Sequence, residues 1–195
     1  MPSSLVRIFI AVALEEAVRR QVEAAISRLR PLAPGLRWVR PENLHFTMAF
    51  MGEIPAERVD TVAAAGRAAA SGQQPFVMRL GGLGVFPGRG QARVLWLGLE
   101  TGQEALSRLQ TALAAGLRQA GFELEQREFA PHLTLARVPQ DAKAWNPTAV
   151  LAQAPALGAE QTVNSLHVMR SQLTPAGAVY SVLHTCPLGK RNEAG

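Results

Sequence analysis

The chain has 195 residues, 48% of them hydrophobic and 18% charged, which is typical of a soluble globular protein. Its single cysteine, Cys186, excludes an internal disulfide and a cysteine-based zinc cage, so we expect a cytoplasmic protein. The formal net charge is +5, and nearly all the positive charge is arginine, because the only lysines are Lys143 and Lys190. Guanidinium groups bind phosphate in a forked geometry and stack on bases, which suits a nucleotide or nucleic-acid partner.

The first predicted element is a buried strand, "RIFIAVAL", over residues 7–14. Its apolar run continues directly into Glu15 and Glu16 and is too short to span a membrane. No small-residue cleavage site follows it. We therefore predict neither a signal peptide nor contact with a membrane.

Helices and strands alternate along the rest of the chain. A helix over 15–30 is indicated by apolar residues at helical spacing, with Pro31 as its stop. The other predicted helices cover 56–70 and 102–121, the latter closed by Gly121, with a short helical piece inside the loop 139–155. The remaining predicted strands are 36–39, 45–50, 76–86, 92–100, 127–138, 164–173 and 178–188. Several of these strands are close enough in sequence to be antiparallel neighbours, which favours an α+β fold.

One short pattern occurs twice, first as "HFTMAF" over 45–50 and again as "HLTLAR" over 132–137. In a regular strand residues i and i+2 face the same side, so His45 and Thr47 point together, with Ala49 beside them leaving room. The intervening residues then face apolar packing: Phe46, Met48 and Phe50. The second copy predicts the same arrangement for His132, Thr134 and Ala136, with Leu133 and Leu135 behind them.

Two such strands related by an approximate two-fold axis would bring two imidazoles and two hydroxyls together across a cleft. That set suits an in-line displacement at phosphorus, because one histidine can take a proton while the other gives one. The threonine hydroxyls can donate hydrogen bonds to the non-bridging oxygens. The sequence has no HExxH motif and no acidic cluster beside either histidine, so we expect neither a metal nor another cofactor.

Five segments in order give the chain a specific resemblance. It resembles the 2H phosphoesterase superfamily, and more closely the bacterial and archaeal RNA 2′,3′-cyclic phosphodiesterases once called 2′-5′ RNA ligases. The segments are "RIFIAVAL", "PENLHFTMAFMGE", "RVLWLGLE", "REFAPHLTLARV" and "SQLTPAGAVYSVL". The resemblance implies one α+β domain over 1–195, made of two lobes that contribute the motifs 45–48 and 132–135. It also implies two antiparallel sheets, related by a pseudo-two-fold axis, that face a central cleft with helices outside.

The resemblance further implies metal-independent hydrolysis of a 2′,3′-cyclic phosphate to a 2′-phosphomonoester. Matched by motif position, His45 is the proton donor to the departing 3′ oxygen and His132 is the proton acceptor that activates water. Thr47 and Thr134 hold the phosphate. The implied partners are RNA with 2′,3′-cyclic phosphate ends or small cyclic nucleotides, and we expect a monomer.

Two further residues are candidates for the site. Arg137 matches a family arginine that contacts the phosphate, although strict alternation would aim it away from the cleft. It can reach the phosphate only if the strand ends or kinks near Ala136, which Pro139 favours. Phe9 is a candidate for stacking on a base, and a core position is the alternative.

The sequence leaves two other functions open. The same site run in reverse would join RNA ends through a 2′-5′ linkage. A non-catalytic nucleotide- or RNA-binding module is also possible, although the histidines present in both motifs argue against it. The substrate is likewise open among tRNA halves, short oligonucleotides and small cyclic nucleotides.

Overall fold

Nine strands and four helices make up the regular structure of the residues that a computed structural model describes, namely 4–139, 145–153, 157–175 and 177–189. The helices are α1 (Glu16–Leu29), α2 (Val59–Ser71), α3 (Gln103–Gln119) and the single turn α4 (Thr148–Leu151). The strands are β1 (Leu5–Ala13), β2 (Arg37–Trp38), β3 (His45–Pro55), β4 (Phe76–Phe86), β5 (Val94–Thr101), β6 (Leu133–Arg137), β7 (Glu160–Val163), β8 (Ser165–Thr174) and β9 (Gly177–Pro187).

All strand pairs are antiparallel and belong to one sheet, in the order β7-β4-β5-β6-β3-β1-β8-β9, with β2 also paired to β6. The two strands that carry the repeated motif, β3 and β6, are therefore neighbours at the centre. They meet through one register pair, Phe46 opposite Leu133, both with no exposed surface. The predicted α+β fold is confirmed, and its two antiparallel halves are joined edge to edge at this pair.

The helices cover one face of the sheet with apolar side chains at the predicted spacing. In α1 the side chains of Val18, Val22 and Ile26 are at most 2% exposed. Helix α2 packs against β8, β9 and α3. The leucine stripe of α3 is fully buried and consists of Leu106, Leu109, Leu113 and Leu117. Within the described ranges, no helix has the length and apolar character needed to cross a membrane.

Three elements differ from the sequence prediction. The strand predicted over 127–138 is only β6, because residues before His132 form no ladder with a neighbouring strand. The strand predicted to end at residue 50 continues as β3 to Pro55. Gly52 lies within it at a φ of 69°, a left-handed conformation that glycine adopts without steric cost. Strand β7 was not predicted. Part of the predicted loop 139–155, and Ala176, lie outside the described residues.

In the two strands that carry the repeated motif, three β-bulges change the face to which side chains point. In β3 the register with β1 skips Met48 and again Met51, and in β6 the register with β5 skips Leu135. A bulge places two consecutive residues opposite one residue of the partner strand, so the alternation of faces reverses beyond it. The burial of consecutive pairs agrees with this, since Met48 and Ala49 are 2% and 8% exposed. In β6 the corresponding pair is Leu135 and Ala136.

Candidate active site

One cavity of about 460 Å³ lies on the face of the sheet opposite α2, at the junction of the two halves. Its wall contains the predicted site residues His45, Thr47, Thr134 and Arg137. Phe9 also lines it. The volume is within the range of sites that bind small molecules, about 300–1,000 Å³. The structure therefore brings five of the six predicted site residues to one place.

His45 is held in a defined orientation by both ring nitrogens. Its Nδ1 lies 2.7 Å from the carbonyl oxygen of Asn43, and its Nε2 lies 3.0 Å from Oγ1 of Thr47. A carbonyl oxygen can only accept, so Nδ1 carries hydrogen and Nε2 is the nitrogen that exchanges a proton. The 3₁₀ turn Pro41–Asn43 places this carbonyl directly ahead of β3.

Burial lowers the pKa of His45, and the nearby positive charges of Arg137 and His132 lower it further. The hydrogen bond to the backbone of Asn43 acts in the opposite direction. In the free protein the neutral imidazole is thereby favoured. An anion bound in the cavity would offset the two positive charges and favour the protonated ring.

His132 lies at the start of β6, immediately before the residue that pairs with β3. It is not among the residues that line the cavity, although it is close enough for its charge to affect His45. Its Nδ1 lies 2.8 Å from the carbonyl oxygen of Ala130, which repeats the arrangement of His45 and Asn43. The ring packs edge-on against Phe86 with centroids 5.0 Å apart. The Nε2 of His132 is therefore also the nitrogen available for proton exchange.

The bulge at Leu135 settles the direction of Arg137. Thr134 precedes the bulge and Arg137 follows it, so both side chains face the cavity despite their odd separation of three residues. The kink required near Ala136 is thus supplied by the bulge. A second arginine, Arg7 of β1, also lines the cavity, and no carboxylate is among its described lining residues. The cavity is suited to an anion.

Aromatic rings surround the His45 imidazole. Phe9 lies 4.8 Å from it between ring centroids, and Tyr180 of β9 lies 5.4 Å from it. Phe9 is only 3% exposed and packs against Tyr180, so it forms the floor beneath His45, in agreement with the core alternative. Tyr180, the single tyrosine of the chain, is the more accessible ring. The side chain of Asn43 donates a hydrogen bond to the carbonyl of Ala178 and so ties this part of β9 to the histidine.

Two orientations expected from strict alternation are wrong. Phe50 was expected in apolar packing, but it is 42% exposed and lines the cavity. Ala49 and Ala136 were expected to leave room at the front, but they are 8% and 0% exposed and belong to the core. The bulges at Met48 and Leu135 are the reason in both cases. Phe46 and Met48 are buried as expected.

The lining residues that were not predicted from the sequence include Arg7, Asn43 and Tyr180. Tyr180 lies within β9, and its position opposite Ser171 depends on the register of β8 and β9, which the sequence alone does not give. Arg7 could have been found, because it shares the parity of Phe9 in β1. Among the described residues, no three His, Cys, Asp or Glu side chains cluster closely enough to hold a metal ion.

Comparison with known proteins identifies the family. Residues 18–175 match the 2′-5′ RNA ligase superfamily. An RNA 2′,3′-cyclic phosphodiesterase from Methanothermobacter thermautotrophicus is 35% identical over 178 residues, which are 90% of this chain and 95% of that protein. The crystal structure of TT0787 from Thermus thermophilus has a TM-score of 0.81 at 34% identity, covering 95% of this chain and 100% of that one.

The structure of E. coli LigT complexed with 3′-AMP is also similar, with a TM-score of 0.78 and 26% identity over 96% of this chain and 100% of that one. The match to the superfamily covers most of the chain, and the relatives are matched over nearly their full length. The repeated motif, the central pairing of β3 and β6 and these likenesses agree. The chain belongs to the 2′-5′ RNA ligase superfamily of 2H phosphoesterases.

Proposed function

We propose that the protein hydrolyses the 2′,3′-cyclic phosphate end of RNA to a 2′-phosphomonoester. The observation that carries the proposal is the convergence of His45, Thr47, Thr134 and Arg137 on one cavity whose described lining has no carboxylate. The relative from M. thermautotrophicus that bears the name RNA 2′,3′-cyclic phosphodiesterase supports the same reaction.

In this reaction His132 and His45 act on opposite sides of the phosphorus. Neutral His132 takes a proton from water at Nε2, and the water oxygen forms a new bond to phosphorus. The bond from phosphorus to the 3′ oxygen breaks, and His45 delivers the proton of its Nε2 to that oxygen. The 2′ ester bond is untouched, so the product is a 2′-phosphomonoester.

The described contacts support these roles. The Ala130 carbonyl keeps the hydrogen of His132 on Nδ1, so the lone pair of a neutral ring is on Nε2, where a base needs it. Burial and the charge of Arg137 lower the pKa of His45 in the free protein, and an anionic substrate that offsets the charge of Arg137 favours the protonated ring that the acid role needs. Proton transfer by positioned groups of this kind contributes about 10²–10⁴-fold to a rate.

The phosphate is held by the remaining polar groups of the cavity. Arg137 provides two parallel N–H donors for non-bridging oxygens, and Thr134 shares its face of β6. Thr47, which bonds to Nε2 of His45 in the free protein, can turn its hydroxyl toward the phosphate when His45 donates elsewhere. The hydroxyls and the guanidinium thereby stabilise charge on the transition state without a metal.

The test is the fate of an RNA oligonucleotide that ends in a 2′,3′-cyclic phosphate, with the 2′- and 3′-phosphate products resolved by ³¹P NMR. We expect only the 2′-phosphate, at a rate unchanged by excess chelator. His45→Ala and His132→Ala should each lose about 10²–10⁴-fold. His184→Ala is the matched control, because His184 lies 3.5 Å from Asp60 at the start of α2, outside the cavity. A 3′-phosphate product, or activity restored only by one metal, would contradict the proposal.

A further inference from the structure

The cavity extends beyond the paired motifs to a second group of side chains on β1 and β3. Arg7 and Phe50 line this part, and the guanidinium carbon of Arg7 lies 4.9 Å from the centre of the Phe50 ring. In the register with β1, Thr47 lies opposite Ala11 and Phe50 lies opposite Phe9, so the two are displaced along the sheet by two residues, about 7 Å. Arg7 lies two residues farther along β1. The pair is therefore offset from Thr47 along the sheet, in the direction that a longer ligand would extend.

Phe50 is a large apolar side chain that is not packed into the core. Its neighbours Met48 and Ala49 are buried, whereas its own side chain is 42% exposed on the cavity wall. Leu173 of β8, another lining residue, is 72% exposed. The bulge at Met48 turns Phe50 to this side. An exposed aromatic ring that continues an anion site offers a stacking surface to a base.

Arg7 adds a positive charge to the same place. Among the ion pairs of the described residues none involves Arg7, although the exposed Glu53 is its cross-strand partner in β3. Its guanidinium instead lies over the Phe50 ring, in the arrangement of a cation–π pair. Its N–H groups remain available to a phosphodiester, and guanidinium planes also stack on bases.

We propose, on the basis of the proposed function, that Arg7 and Phe50 bind the nucleotide on the 5′ side of the reactive ribose. The base of that nucleotide stacks on the pair, and Arg7 contacts the phosphodiester that joins it to the terminal nucleotide. Tyr180, whose ring lies 5.4 Å from that of His45, is left for the terminal nucleoside. The preferred substrate is then an oligonucleotide end, and a mononucleoside 2′,3′-cyclic phosphate occupies only part of the site.

The experiment compares kcat/KM for adenosine 2′,3′-cyclic phosphate and for the adenosine dinucleotide that ends in a 2′,3′-cyclic phosphate. The wild type should prefer the dinucleotide. Phe50→Ala should reduce the preference ratio by roughly ten- to a hundredfold, the effect of losing one base–aromatic stack. Phe50→Tyr should keep most of the ratio. Val77→Ala is the control, because Val77 is similarly exposed on β4 but does not line the cavity.

A second measurement tests Arg7 separately through salt dependence. A contact between an arginine and a phosphodiester weakens as salt concentration rises. Arg7→Gln should therefore make the slope of log kcat/KM against log salt concentration less steep for the dinucleotide. The slope for the mononucleotide, which has no internal phosphodiester, should stay as in the wild type.

Several results would overturn the inference. A wild type that shows no preference would do so, and so would an equal loss on both substrates in Phe50→Ala, which would make Phe50 a support of the catalytic residues. An unchanged ratio together with an altered molar mass of Phe50→Ala would show that this face joins copies of the chain. If the wild type cleaved neither substrate, the proposed function itself would fail, and the inference with it.

Discussion

Replacing Arg137 with glutamine changes two measurable properties of the proposed enzyme. The first is the rate, because a hydrogen bond to a charged group is worth about 1.5–3 kcal/mol, which corresponds to a loss of roughly ten- to 150-fold in kcat/KM. The second is the pKa of His45, which the charge of Arg137 lowers. Without that charge the pKa of His45 rises, because its protonated form no longer faces a neighbouring cation.

The assay is the pH dependence of kcat/KM on the dinucleotide cyclic phosphate. The acidic limb reports protonation of the base, and the alkaline limb reports loss of the proton from the acid, in the free enzyme. If His45 is the acid, Arg137→Gln should move the alkaline limb to higher pH. Arg137→Lys keeps the charge but loses the forked geometry, so its rate should fall while its alkaline limb stays in place.

The control removes an arginine of similar chemistry from a remote surface. Arg108 of α3 is exposed and lies 3.9 Å from Glu104, outside the cavity, so Arg108→Gln should leave the rate and both limbs unchanged. An alkaline limb that stays in place or moves to lower pH in Arg137→Gln would refute His45 as the acid. A rate like that of the wild type would refute the contact between Arg137 and the phosphate.

Three further outcomes are expected. Thr47→Ala and Thr134→Ala should each lower kcat roughly ten- to a hundredfold with an unchanged melting temperature, and wild-type rates in both would make the threonines mere strand formers. A substrate with sulfur in place of the departing 3′ oxygen needs no acid, so it should rescue His45→Ala but not His132→Ala; the opposite result would exchange their roles. Phe46→Ala should cost about 3–5 kcal/mol of unfolding free energy in urea, since this fully buried ring joins the two halves of the sheet, and a loss below about 1 kcal/mol would disprove that importance.

The alternation of side chains along a strand was enough to predict how His45 and Thr47 are arranged. The pairing of His45 with Thr47, and the burial of Phe46 and Met48 behind them, follow from a period of two residues, and the structure agrees. The helices were equally accessible, because their apolar spacing spans three or more turns. Both features follow from a local repeat in the positions of apolar residues, and such a repeat can be read directly from a single sequence.

Strand β7 shows where such local patterns fail. It has four residues, and one of them, Gln161, is a polar residue only 4% exposed. Its side chain accepts a hydrogen bond from the backbone N–H of Glu15 and donates one to the carbonyl of Ala13. Gln161 therefore pairs backbone polar groups in the turn between β1 and α1. Its burial is explained by these hydrogen bonds and not by the apolar pattern of its own strand. Only a distant contact explains it, and one sequence does not show distant contacts.

The bulges were hidden for a similar reason. A bulge requires no special residue type, and its place is set by how a strand packs against its neighbours. The directions of Phe50 and Arg137 depend on it, and both depart from simple alternation. For Arg137 we predicted that a kink in the strand would be needed to turn the side chain toward the cavity. For Phe50 we predicted regular alternation, and that prediction was wrong.

The bulge at Leu135 makes the number of residues between Thr134 and Arg137 as important as their identity. Deleting Leu135 would remove no atom from the cavity wall, yet it would restore regular alternation and carry Arg137 to the opposite face. A substitution such as Leu135→Val keeps the count and so keeps the arginine in place. In a scan of single-codon deletions, β3 and β6 should therefore lose activity at positions where many substitutions are harmless. The catalytic surface is in this sense encoded by spacing, and insertions and deletions are the genetic changes to which it is most vulnerable.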